Sequence, residues 1–136
     1  MMTRRMFVVD DEHIIADSLT AILNYSGYDA KAFYDGEAAL MACETTVPEC
    51  IISDVVMPGM SGVELAVSIR EHFPDCRILL FSGQAATANI LEAARRSGHN
   101  FEVLLKPVHP SDLLARLEMG SQRPPPAHSS SEPWTL

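Results

Sequence analysis

Short apolar runs alternate with longer segments whose apolar residues recur at helical spacing, and the alternation repeats five times along the chain. Met6–Val9 is the first apolar run; residues 13–26 follow, with Ile15, Leu19 and Ile22 on one helical face and Gly27 placed as a stop. A weaker strand is expected over Asp29–Phe33 and a helix over about Gly36–Glu44. Cys50–Ser53 reads as the third strand, ending at Asp54. Beyond a loop containing Pro58 and Gly59, Ser61-Gly62-Val63-Glu64 has the S-x-x-E form of a capping box. The helix it opens should run to about His72, with Pro74 beyond its end. Arg77–Phe81 is the fourth strand, leading to Ser82-Gly83, and a helix over about Thr87–Ser97 stops at Gly98. Phe101–Leu105 is the fifth strand and enters Lys106-Pro107; Pro110 suits the first turn of a last helix through about Met119. Short, continuously apolar strands separated by helices predict an α/β fold, a five-stranded parallel sheet covered by helices on both faces. The crossovers should be right-handed.

The pattern ends at Gly120. GSQRPPPAHSSSEPWTL is rich in Pro and Ser and has little to bury, so residues 120–136 are expected to be a disordered tail behind a single domain over 1–119. Trp134, the one tryptophan, reads as part of an unused tail end rather than a docking motif. No apolar stretch approaches the ~18–20 residues that cross a bilayer, and MMTRRMFVV lacks the features of a signal peptide, so a cytoplasmic protein with no membrane insertion is expected. The net charge of -8 works against direct binding to nucleic acid, whose phosphates require a basic footprint. Cys43, Cys50 and Cys76 have no C-x-x-C spacing and read as buried or semi-buried free thiols; the five histidines are scattered, which gives a zinc site little support.

Candidate chemistry lies where the apolar runs end. Asp10, Asp11 and Glu12 follow the first strand with no basic neighbour. Acids suit the start of a helix, and that accounts for any one of them. In an open parallel sheet, however, ligands bind beyond the carboxyl ends of the strands. There the chain places Asp10 and Asp11 after the first strand, Asp54 after the third, Ser82 after the fourth and Lys106 after the fifth. Together, three carboxylates, a hydroxyl and a lysine suit a divalent cation and a phosphoryl group. Mg²⁺ takes hard oxygen ligands, a carboxylate can attack phosphorus, and lysine and a hydroxyl can hold phosphate oxygens.

The same residues carry a resemblance to the receiver domains of bacterial two-component response regulators. It rests on VVDDE at Val8–Glu12, DVVMPGMSG at Asp54–Gly62, LFSG at Leu80–Gly83 and LLKP at Leu104–Pro107, in that order, and covers about Arg5 to Met119. The resemblance implies a (βα)5 flavodoxin-like fold with strand order 2-1-3-4-5. It implies Asp54 as phosphoacceptor, Mg²⁺ held by Asp10, Asp11, Asp54 and the Val56 carbonyl, Ser82 as switching hydroxyl and Lys106 as phosphate partner. It also implies a histidine kinase or histidine phosphotransfer protein as donor. At 136 residues the chain leaves no room for a DNA-binding output domain, so signalling through contact with another protein is expected. Glu12, His13, Met57, Met60, Met119, Arg95 and Arg96 read as helix, packing or surface residues.

One departure is plain: receivers usually carry Tyr or Phe three residues before the lysine, and here that residue is Val103. Phe101 would be displaced by ~6–7 Å along the strand, too far to substitute. This keeps open a degenerate receiver serving as a scaffold independent of phosphorylation. A haloacid dehalogenase-like phosphohydrolase would need a second Asp where Val56 stands, and a Rossmann enzyme would need G-x-G-x-x-G after the first strand; both are disfavoured.

Overall fold

The structure, a computed structural model, describes residues 4–83 and 87–120. The expected tail beyond Gly120 lies outside the described residues, as does Gln84, two residues after Ser82 and a candidate to position an attacking water. Five strands alternate with five helices: β1 (Arg5–Val9), α1 (His13–Tyr25), β2 (Asp29–Phe33), α2 (Gly36–Cys43), β3 (Cys50–Asp54), α3 (Gly62–His72), β4 (Arg77–Ser82), α4 (Thr87–Arg96), β5 (Glu102–Leu105) and α5 (Pro110–Gly120). The chain divides into two compact units, residues 1–106 with the sheet and α1–α4, and residues 107–136 with α5. Strand order is β2-β1-β3-β4-β5 and every neighbouring pair is parallel.

β3 is central and buried along its whole length, which is why Cys50-Ile51-Ile52-Ser53 shows no apolar–polar alternation. Side chains on a strand point alternately to opposite faces. Phe7, Val9, Ile51, Ile78 and Leu80 accordingly form one core with Ala39 and Cys43 of α2, Val63, Ala66 and Ile69 of α3, and Ala94 of α4. The residues between them, Met6, Val8, Ile52 and Leu79, are equally buried and turn to the other face, where α1 lies over β1 and β2 and buries Ala16 and Leu23. Helices therefore cover both faces of the sheet. α5 buries Leu113 and Leu117, one turn apart.

Local signals fix the element ends. Ser61 and Glu64 close the expected capping box: the Ser61 hydroxyl accepts from the Glu64 N–H at 3.1 Å and the Glu64 carboxylate accepts from the Ser61 N–H at 2.8 Å. Gly27 takes φ +100° directly after α1, a conformation that side chains with a Cβ resist. Asp35, which the apolar pattern does not mark, caps α2 through the Ala38 N–H at 2.7 Å. The element bounds fall within a residue or two of those expected; Phe101 lies just before β5 instead of in it. Cys43, Cys50 and Cys76 are free and buried, and burial pushes their thiols up to about 11, 12 and 12 respectively. Among the described residues no helix is long and apolar enough to cross a membrane.

Candidate functional site

The carboxyl ends of β1 and β3 bring their acids together. Asp10 follows β1 and is 1% exposed; its N–H donates to the Phe33 carbonyl at 3.0 Å, tying it to the end of β2. One Asp10 oxygen, Oδ1, accepts the Glu12 N–H at 2.9 Å. The other, Oδ2, is buried with no hydrogen-bond partner. Asp54 closes β3 and is 9% exposed, and Asp11 is partly exposed. One carboxylate oxygen from each of Asp10, Asp11 and Asp54 lies within 4.8 Å of the others. Burial pushes the Asp10 carboxyl above its ordinary value; the Glu12 N–H opposes this, the Asp54 carboxylate adds to it, Lys106 opposes and Asp11 adds a little.

β4 and β5 supply the remaining groups. Ser82 ends β4 and is 4% exposed, and its carbonyl accepts the Lys106 N–H at 3.1 Å, which pins the residue after β5 beside β4. Lys106 Nζ reaches Asp54 Oδ1 at 3.1 Å. Gly83 gives the lysine its path: a Cβ there would lie 3.0 Å from Lys106 Cβ. Val55 is held by its N–H on the Phe81 carbonyl at 3.0 Å and by its own carbonyl on the Gly62 N–H at 2.8 Å. Gly62 comes so close that a Cβ would collide with the Asp54 carbonyl oxygen. Val56, in the loop between β3 and α3, is 50% exposed beside these groups.

The structure thus brings Asp10, Asp11, Asp54 and Lys106 into one cluster and sets Ser82 at the adjoining strand end. Of the residues read as packing or surface, Met57 is buried in the core and Met60 packs against it. His13 is exposed and stacks on Tyr34, with ring centroids 3.8 Å apart. Sequence reasoning missed that stack and the hydrogen bond from the Tyr34 hydroxyl to Asp17 at 2.6 Å. Val103 faces the core and pairs in register with Leu80. Phe101 packs against the same core and is held from outside: the Arg70 guanidinium sits 4.7 Å above its ring and His99 stacks on it.

The residues present fit a hard divalent cation. A buried oxygen without a partner sits among three carboxylates, and such a group is costly unless a cation meets it.

Comparison with known proteins agrees in fold. Residues 6–118 match the family of response regulator receiver domains. The DNA-binding response regulator MtrA of Mycolicibacterium paratuberculosis is 27% identical over 122 residues, 90% of this chain and 53% of that protein. The transcriptional regulatory protein FixJ of Bradyrhizobium diazoefficiens is 30% identical over 125 residues, 92% of this chain and 60% of that protein. The chain spans about half the length of the curated relatives it matches. Among solved structures, a CheY-like receiver domain protein of Methanospirillum hungatei superimposes with TM-score 0.78 at 26% identity, covering 88% of this chain and 94% of that one. Vibrio cholerae CheY4 gives TM-score 0.76 at 26% identity, covering 86% and 98%.

Proposed function

Because the chain belongs to the response regulator receiver domain family, we propose that it accepts a phosphoryl group on Asp54 from a phosphohistidine of a histidine kinase or phosphotransfer protein. The observation that carries this reading is the convergence of Asp10, Asp11 and Lys106 on the Asp54 carboxylate. An Asp54 oxygen attacks phosphorus; the O–P bond of an acyl phosphate forms as the donor's P–N bond breaks, and the electron pair stays on the ring nitrogen. Lys106, already 3.1 Å from Asp54, is placed to meet an incoming phosphoryl oxygen, and Ser82 to donate to another. Asp10, Asp11, Asp54 and the Val56 carbonyl would hold Mg²⁺, which supplies the positive charge that lets one anion approach another. Burial of Asp10 and Asp54 limits competing water.

In this reading the protein is a phosphoacceptor rather than a turnover enzyme. Residues 1–119 form the receiver, and the protein works in the cytoplasm. Output runs through protein contact. A charge of -8 disfavours DNA binding by the receiver itself. A second reading, a scaffold that needs no phosphorylation, is favoured by one observation, Val103 in place of an aromatic residue. Mass spectrometry after incubation with Mg²⁺ and acetyl phosphate separates the two. We expect a single phosphoryl adduct that is lost in Asp54→Asn; no adduct on the wild type would select the scaffold.

A further inference from the structure

On the α2 side of the sheet, β1 and β2 are only partly covered. α2 stops at Cys43, and the chain turns away through Thr45 and Thr46, whose N–H groups donate to the Ala42 carbonyl at 3.1 and 3.0 Å. The uncovered part is a trough of about 390 Å³, within the range of ~300–1,000 Å³ usual for small-molecule sites. Because strand side chains alternate, Arg5 and Phe7 of β1 and Lys31 and Phe33 of β2 line it together, with Thr45 and Thr46 on the facing wall.

We propose that this trough binds a small planar aromatic carboxylate. The partly exposed Phe33 ring, backed by the buried Phe7 ring 4.7 Å away and tilted by 56°, offers an apolar floor on which a flat ring gains area and offset stacking. Lys31 supplies the charge. Its ammonium lies 5.7 Å from the Phe33 ring centroid and has no carboxylate partner among the described residues. In a chain with 18 acids and 10 lysines and arginines, a cation left over beside an aromatic floor is a feature to be explained. Arg5 meets Asp29, the one carboxylate on the rim, only loosely at 3.7 Å, with both side chains more than half exposed. The rim therefore carries two positive charges against one negative. The hydroxyls of Thr45 and Thr46 have no protein partner among the described residues and can donate to the second carboxylate oxygen.

A peptide strand is the weaker occupant, because the edge of β2 is already taken at Ala30. The Asn24 side-chain amide donates to the Ala30 carbonyl at 3.2 Å and accepts the Ala30 N–H at 2.7 Å, taking the groups an added strand would need. A bare inorganic anion gains nothing from the floor, and a neutral arene nothing from Lys31. The site is independent of the chemistry at Asp54.

The test is a titration of the full chain, without Mg²⁺, with 2-naphthoate and its neutral counterpart 2-naphthamide, followed by amide chemical shifts. Saturable shifts centred on Phe7, Lys31, Phe33, Thr45 and Thr46 are expected, with naphthoate binding about tenfold more tightly than the amide. Lys31→Met, an exposed position whose replacement leaves the fold intact, should remove that tenfold preference and leave naphthamide binding unchanged. Equal affinity for the two probes, shifts centred elsewhere, no saturable shift, or a preference that survives Lys31→Met would each overturn the proposal.

Discussion

Asp10 holds the least comfortable side chain of the cluster. Its carboxylate is buried, one oxygen lacks a partner, and burial followed by the neighbouring carboxylates outweighs the Glu12 N–H and Lys106 in lifting its pKa above the ordinary 3.8. For an acid raised in the folded state, the contribution to stability is full below about 3.8 and is lost as pH rises through the raised value. Asp10→Asn should therefore melt a few degrees higher than wild type at pH 7 without Mg²⁺, with the difference closing toward pH 4. Added Mg²⁺ should raise the wild type and leave the variant nearly unchanged. Melting curves at several pH values with and without the cation check both; an Asn variant less stable at pH 7 in the absence of cation would sink the argument. On the proposed function, Val56 bears on a later step, loss of the phosphoryl group. It is half exposed beside Asp54 and can neither donate to nor accept from a water approaching in line with phosphorus. Val56→Asn should speed loss of the phosphoryl label by about tenfold, and an unchanged rate would show that Val56 does not obstruct that approach. At this scale the sequence was informative because each candidate directly follows an apolar run. Which Asp10 oxygen is bonded was not legible, since it depends on how the chain turns at Glu12.

Between residue and fold, the elements depend on a few close fits. Gly62 opens α3, and its N–H holds the Val55 carbonyl at 2.8 Å. A methyl group at this position would collide with the Asp54 carbonyl oxygen and lie 2.9 Å from Val55 Cα, both rigid backbone. Gly62→Ala should cost ~1–3 kcal/mol in urea unfolding and also slow labelling of Asp54, because the strand end itself must shift. Normal stability and labelling would show that the loop yields freely. At the sheet edge, Asn24 takes the place of a neighbouring strand by pairing both backbone groups of Ala30. Asn24→Ala should destabilise by about 1–3 kcal/mol through the lost partners and promote association at high concentration, since an open edge recruits strands. Light scattering that shows no added association would mean that Lys31 and the short strand guard the edge without it. The capping box at Ser61 was readable because it lies within four residues. The Asn24 cap was not, because its partner lies six residues on and meets it only after the turn at Gly27 has formed.

On the proposed function, the whole receiver has to convert a charge change at Asp54 into a change in what a partner meets. An aromatic residue three positions before Lys106 would offer a ring with two alternative placements, but Val103 packs on the core in register with Leu80. Phe101 cannot take over, because Arg70 at 4.7 Å and His99 clamp its ring outside β5. What remains connected to Asp54 is Lys106, through the 3.1 Å ion pair, and Ser82, whose carbonyl holds the Lys106 N–H. Both lead to the end of β4, after which the chain enters α4, a helix in which Ala94 is the only buried residue among those described and Ile90 is 39% exposed. An element with so little burial is inexpensive to displace. Hydrogen exchange with and without beryllofluoride, a phosphoryl mimic, should show altered protection in α4 and at residues 102–105. The amides of His99–Phe101 should change least, and Arg70→Ala, which releases the Phe101 ring, should leave the α4 response intact. A response confined to residues 99–101, or one abolished by Arg70→Ala, would return the readout to Phe101. No change anywhere over 87–105 would mean that the signal leaves by another route or that the chain serves as a scaffold.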